Sequence, residues 1–266
     1  MAADFPAAHS MDSCWFAVDR DGHVGFFTTG EAGAMPAAGV TGDAAYQLCD
    51  RLAGAVPSGE VIFDPRGYVL PGPAGEDAAQ VRAQDWPLLV FLTSLVPVQS
   101  DVEAGQATPV RATEGYAVVL PRVTADQARR LTDSGAVRAT AFFFGGPDDE
   151  RNSRARFGVY EYGHLCENWI AGPYGRERVP ARPLHVDQLP PAVRKQLKEA
   201  TLAGLSFAEA THIQPAEHWE CETWESGWLG LDGVVRPFPG READFRAHAE
   251  EMREFFPRLR LEEPGE

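Results

Sequence analysis

Trp15-Phe16-Ala17-Val18-Asp19-Arg20-Asp21-Gly22-His23-Val24 is the stretch from which the fold is read. Cys14 to Val18 and Val24 to Thr29 are rich in β-branched and aromatic residues, with the turn chemistry of Asp19-Arg20-Asp21-Gly22 between them. That pattern predicts a β-hairpin. An echo follows at Arg156-Phe157-Gly158-Val159-Tyr160-Glu161-Tyr162-Gly163-His164-Leu165, where Phe157, Val159 and Gly163-His164 match Phe16, Val18 and Gly22-His23 without a gap. Phe63, Val69 and Pro71 recur as Phe207, Ile213 and Pro215, and Val118-Val119-Leu120-Pro121 recurs as Val234-Val235-Arg236-Pro237. Each of the last two is followed by Ala-Asp, at 125–126 and 243–244. Colinear order of this kind predicts internal duplication of a hairpin–helix–strand–helix unit. The polar, Gly/Pro-bearing run Gly145–Asn152 is the natural seam. It divides the chain into an α+β half at 1–146 and a pseudo-repeated half at 147–266, packed either separately or as one continuous domain.

Outward from the hairpin, Asp43 is placed to cap a helix with an apolar stripe at Ala45, Leu48, Cys49 and Leu52, ended by Gly54. Val61-Ile62-Phe63 and Tyr68-Val69-Leu70 flank Asp64-Pro65-Arg66-Gly67 and read as a second hairpin. Leu88–Leu92 reads as a buried strand, 98–114 as a long loop, and Tyr116–Leu120 as a strand. Thr124 caps a helix running to Gly135, and Ala139–Phe144, with three consecutive phenylalanines, reads as a strand buried on both faces. In the second half a hairpin-like segment covers 157–170, Pro190-Pro191 start a short helix, and Phe207–Ile213 is a strand. Trp228–Val235 turns around Asp232-Gly233, and Arg241–Phe256 is an amphipathic helix stopped by Pro257. Strands and helices alternate without regular βαβ spacing, which predicts an α+β protein with mostly antiparallel sheets and packed helices.

Composition narrows the function. The net charge of −15 argues against nucleic-acid backbone binding, which needs Lys and Arg to neutralise phosphate, and favours a basic partner instead. No run approaches the roughly 18 apolar residues of a membrane span. The start of the chain lacks a basic n-region and an apolar h-region, and Cys14, Cys49, Cys166 and Cys221 have no disulfide-like or Cys-x-x-Cys spacing. Both features point to a cytoplasmic protein. Signatures for P-loop, dinucleotide, zinc-protease and serine-hydrolase sites are absent, which removes the easy enzyme assignments.

Three constellations remain. Zinc accepts two His and two Cys, and His164-x-Cys166 with His218-x-x-Cys221 is such a set, although His185 or His212 could replace a member. Two half-buried Cys and two surface His is the competing reading. The paired Gly-His at 22–23 and 163–164 would place two imidazoles across a seam as a general base or pH switch.

The favoured constellation lies between Lys198 and Arg236, where no Lys or Arg occurs while seven acids do: Glu199, Glu209, Glu217, Glu220, Glu222, Glu225 and Asp232. Within it Trp219, Trp224 and Trp228 interleave with Glu220, Glu222 and Glu225. Aromatic anchors beside negative charge suit a surface that captures a cationic partner. On a strand of period 2, Trp219 would face away from Trp224 and Trp228. Trp169 and Tyr174, in an aromatic loop over 168–176, extend the same surface. The expected function is a non-catalytic binding protein presenting an acidic, Trp-rich surface to a basic protein or peptide, as a neutraliser of a toxin-like partner or an adaptor would, with no cofactor. The alternative is an enzyme with a His-containing, zinc-binding site in the cleft between the halves.

Overall fold

The computed structural model describes residues 13–30, 32–37, 40–55, 59–71, 80–143, 153–165, 170–255 and 257–262. In chain order the first elements are β1 (Cys14–Asp19), β2 (Val24–Thr28), β3 (Met35–Pro36), β4 (Val40–Thr41), α1 (Gly42–Ala55) and β5 (Val61–Phe63). Then come β6 (Leu88–Leu92), α2 (Gln99–Glu103), β7 (Thr108–Val110), β8 (Tyr116–Leu120), α3 (Ala125–Ser134) and β9 (Val137–Phe142). The next are β10 (Tyr160–His164), β11 (Ile170–Ala171), β12 (Tyr174–Pro180), α4 (Pro191–Leu197), β13 (Thr201–Leu202) and β14 (His212–Ile213). The last are β15 (Cys221–Glu222), β16 (Gly227–Leu229), β17 (Val234–Pro237), α5 (Glu242–Phe255) and β18 (Arg260–Leu261). Helices with mixed and antiparallel sheets make this an α+β protein.

The quoted hairpin forms and sits inside the main sheet. β1 and β2 pair antiparallel with Phe16 opposite Phe26 and Trp15 opposite Phe27. β1 is continued by parallel β13, and β2 by parallel β10, so the hairpin has neighbours on both sides. The resulting eight-stranded sheet runs β13-β1-β2-β10-β12-β14, with β4 on β1 and β5 on β12. Strands buried on both faces lose the polar alternation of a half-solvated sheet, which is why Cys14-Trp15-Phe16-Ala17-Val18 is apolar throughout. Its even members Cys14, Phe16 and Val18 pack with Ala45, Leu48 and Leu52 of α1 and Val193 and Leu197 of α4. Its odd members Trp15 and Ala17 pack on the opposite face with Phe27, Tyr162, Tyr174 and Phe207. Trp15 stacks on Phe27 at 3.8 Å, and both are fully buried. Each such side chain contributes about 2–3 kcal/mol of transfer free energy.

β7-β8-β6-β9 form a separate antiparallel sheet. All five residues of β6 are buried, as its unbroken apolar run requires. α3 has the Thr124 cap expected at its start, which the structure extends to a capping box with Thr124 and Gln127 exchanging bonds, and ends on Gly135 at φ 62°. Smaller sheets are β11-β16-β17-β18 and β15-β3.

Several expectations do not hold. Gly22-His23 lies in the β1–β2 turn, whereas Gly163-His164 lies within β10, so the aligned segments have different structures. β8 and β9 are separated by β6, whereas β17 pairs directly with β18. The duplication is therefore not borne out: local alternation and Gly turns resemble one another, but the pairings differ. Strands from both sides of residue 146 share the main sheet, through β2 with β10 and β5 with β12. The proposed seam lies outside the described residues, apart from 1–146 and 147–266 meeting in that sheet.

The second expected hairpin is instead β5 followed by a 3-10 turn over Pro65–Tyr68, with β5 paired to β12. Asp64 caps that turn and is fully buried, accepting from Arg66 and, 112 residues on, from Arg176 Nε at 3.0 Å and Nη2 at 2.6 Å. Gly67 and Gly175 touch back to back, since a Cβ on either would overlap the other segment's backbone carbonyl. Residues 98–114 hold α2 and β7 rather than a bare loop. Phe142 is 59% exposed, so the phenylalanine run is not buried on both faces; Phe144 lies outside the described residues. Phe207 belongs to a turn, and only His212–Ile213 of that segment is strand.

Candidate functional site

A cavity of about 940 Å³ lies between the Trp-bearing segment and the β17–α5 connection. One wall is built from Trp219, Glu220, Cys221 and Thr223, the other from Arg236 through Glu242, with Trp228 between them.

Gln214 positions the first wall. Its buried side chain donates to the carbonyls of Ala171 at 3.1 Å and Leu229 at 2.8 Å, and accepts from Ala216 N at 3.2 Å, capping a turn over Pro215–Glu217. The turn delivers Trp219, whose N–H donates to the Pro215 carbonyl at 3.0 Å. Trp219 is half-buried, edge-on to Trp15 at 5.9 Å, so the core fixes one side of the ring and the cavity receives the other. β15 then pairs with β3, and the Glu220 carbonyl accepts from Ala37 N at 3.0 Å. The Trp segment is not one strand: β15 covers two residues and β16 begins at Gly227. The parity argument that separated Trp219 from Trp228 therefore lapses, and both line the same cavity. Trp224 is 47% exposed outside its lining.

Charge in the second wall is internally compensated. The Arg236 guanidinium lies 5.3 Å from the Trp228 ring centroid, donates to both Asp232 oxygens at 2.9 and 2.7 Å, and stands 3.5 Å from Glu262. Arg241 donates to Asp244 at 2.8 Å and to the Trp224 carbonyl at 3.0 Å. Among the described residues no Lys, Arg or His nitrogen lies within ion-pairing reach of the Glu220 or Glu242 carboxylates, although the Gly240 N–H donates to Glu242 at 3.1 Å. Burial pushes the Glu225 carboxyl up to about 6, opposed by Arg241. Nothing is described of the Glu222 side chain.

Tyr174 is not part of this surface. It opens β12, is fully buried, and donates its hydroxyl to the Ala34 carbonyl at 2.9 Å. A run that reads Tyr-Gly-Arg-Glu-Arg conceals a strand because its charged residues find internal partners, Arg176 with Asp64 and Arg178 with Glu161. Trp169 lies outside the described residues.

Cys166 lies outside the described residues, and among those described His164, His218 and Cys221 form no convergent group. His164 Nε2 accepts from Gly172 N at 2.8 Å, and burial holds its imidazole down at about 3. Burial pushes the Cys221 thiol up to about 12. The convergent group of three metal-capable side chains is instead Asp19, Asp21 and His23 in the β1–β2 turn.

Sequence reasoning found Trp219, Glu220 and Trp228 but not the second wall. Arg236, Arg241 and Glu242 carry no local signal, except that Arg236 ends the cation-free stretch. The chain matches no protein-family model, no curated protein and no solved structure. No helix among the described residues is long and apolar enough to cross a membrane.

Proposed function

We propose that this protein is a non-catalytic binding protein that receives a basic segment of a partner protein or peptide in the Trp219–Trp228 cavity. The supporting observation is the charge arrangement of its walls. Both arginines there are tied to their own acids, while Glu220 and Glu242 line the same space with no described cation in ion-pairing reach, Arg246 acting on Glu242 only from a distance. A Lys or Arg side chain entering between the indoles would gain those carboxylates and an aromatic face. The overall charge of −15 would steer such a partner from a distance. A neutralising or adaptor role fits this chemistry, in the reducing compartment expected from the sequence.

The test is affinity capture from the native lysate at low and high salt, with co-purifying proteins identified by mass spectrometry and the interaction repeated with purified components. A basic partner held at low salt and released at high salt is expected. The Glu220→Lys/Glu242→Lys variant should slow association roughly tenfold or more and flatten its salt dependence. Unchanged association by that variant would refute this surface.

A further inference from the structure

We infer that the β1–β2 turn is a binding site for one divalent transition-metal ion of the zinc type, held by the Asp19 and Asp21 carboxylates and His23 Nδ1. Each residue offers a ligand atom, and these atoms lie within 4.8 Å of one another. The spacing i, i+2, i+4 brings them together because the chain reverses here, with Gly22 at φ 80°.

His23 Nδ1 carries the inference. The atom itself is shielded from solvent, although the side chain is 25% exposed, and it has no hydrogen-bond partner, which is uncommon for a buried side-chain polar atom. Its nearest carboxylate oxygen, Asp19 Oδ2, is 3.5 Å away, too far for a good hydrogen bond. Two ligands of one tetrahedral ion with bonds of about 2.0–2.2 Å stand about 3.3–3.6 Å apart. The separation that is long for a direct bond therefore suits a shared ion.

The surroundings supply what a metal ligand needs behind it. Asp19 is buried, and Oδ1 accepts from the N–H groups of Asp21 at 2.9 Å and His23 at 2.8 Å. Its Oδ2 accepts from Phe207 N at 2.7 Å. Such outer-shell donors fix the orientation of a ligating carboxylate. Asp21 is exposed and is the adjustable ligand; Arg20 Nε stands 3.8 Å from it, while the Arg20 Nη2 is held by Glu209 at 2.7 Å. His185 packs across the turn, its ring centroid 6.4 Å from that of His23, and a side chain at Gly22 would run into it. One imidazole with two carboxylates suits Zn²⁺ or Co²⁺ and leaves a coordination position for water or an exogenous ligand.

The experiment uses the full-length, untagged protein stripped with a chelator and titrated with Zn²⁺ and with Co²⁺ by calorimetry and absorption. One ion per chain is expected, with a Co²⁺ spectrum lacking the charge-transfer band that a cysteine ligand would add. His23→Gln and Asp21→Asn should each weaken binding by about 10- to 100-fold or more, with the fold checked by near-ultraviolet circular dichroism. Asp21 is exposed, so its variant keeps the test informative if the His23 variant misfolds. His218→Gln should bind as the parent does. Absence of saturable binding, unchanged affinity in Asp21→Asn, or a thiolate band would each overturn the site, leaving His23 as an ordinary partner of Asp19.

Discussion

Asp64→Ala is the most informative perturbation of the fold, because one buried carboxylate joins segments distant in the chain. Asp64 is fully buried and Arg176 is 3% exposed. Arg176 donates Nε and Nη2 to Asp64 Oδ2, and Nη1 to the Phe207 and Ala208 carbonyls at 2.6 and 2.8 Å. Arg66, about half exposed, reaches the same carboxylate at 3.0 Å, and Thr113 reaches it at 3.3 Å. Alanine leaves the Arg176 guanidinium buried without a counter-charge, a change that costs about 3–5 kcal/mol. With a urea slope of about 2–3 kcal/mol/M, the unfolding midpoint should fall by roughly 1–2 M. The double variant Asp64→Leu/Arg176→Met removes both charges and should recover a large part of that loss, because well-packed apolar replacements of a buried pair are often neutral.

A pH dependence follows from the same site. Burial pushes Asp64 up, but hydrogen bonds from Arg66 and Arg176 outweigh it and hold the carboxyl below its ordinary value. Its folded pKa thus lies below the unfolded one, so its stabilisation is complete above about pH 4 and is lost as pH falls further. Asp64→Ala should flatten the acid limb of the stability profile. A midpoint shift under about 0.3 M, or a double variant no more stable than the single one, would refute this account of the pair.

Other outcomes follow from single contacts. Gly175→Ala places a Cβ against the Gly67 carbonyl and should cost about 1–3 kcal/mol by overpacking, read by thermal or urea unfolding. Tyr174→Phe removes the bond to the Ala34 carbonyl and should cost about 1 kcal/mol, while leaving partner binding unchanged because the ring is in the core. Glu225, raised by burial from 4.5 to about 6, binds its proton more tightly when folded, so its ionisation lowers stability as pH rises through that interval. Glu225→Gln should therefore gain up to about 1 kcal/mol over the parent at pH 7.5 and nothing at pH 4, by urea unfolding at both.

What the sequence disclosed depended on the range of the interaction that fixed each element. The β1–β2 hairpin, the Thr124 cap of α3 and the amphipathic α5 are set by residues within a few positions of one another, and all were legible. Asp64-Pro65-Arg66-Gly67 has turn composition and does turn, but its direction is fixed by Arg176, and no local pattern reveals a partner 112 residues away. Tyr174–Pro180 was hidden for the converse reason: its arginines and glutamate look solvent-facing until Asp64 and Glu161 are brought beside them.

The candidate site divides along the same line. Its Trp219–Trp228 wall stood out because tryptophan and glutamate alternate locally, whereas Arg236, Arg241 and Glu242 are ordinary residues until folding sets them opposite. The acidic character of the site arises in that juxtaposition. Asp232, Glu262 and Asp244 occupy the two arginines and Arg236 already lies over Trp228, so what remains for a ligand is Glu220, Glu242 and the Trp219 indole. Reversing Glu220 or Glu242 should thus act on binding, whereas reversing Asp232 should unpair Arg236, which already lies over Trp228, and leave its charge to repel an incoming cation. The two kinds of variant weaken capture of a basic segment by different routes, and only the second does so by unpairing a residue of the chain itself.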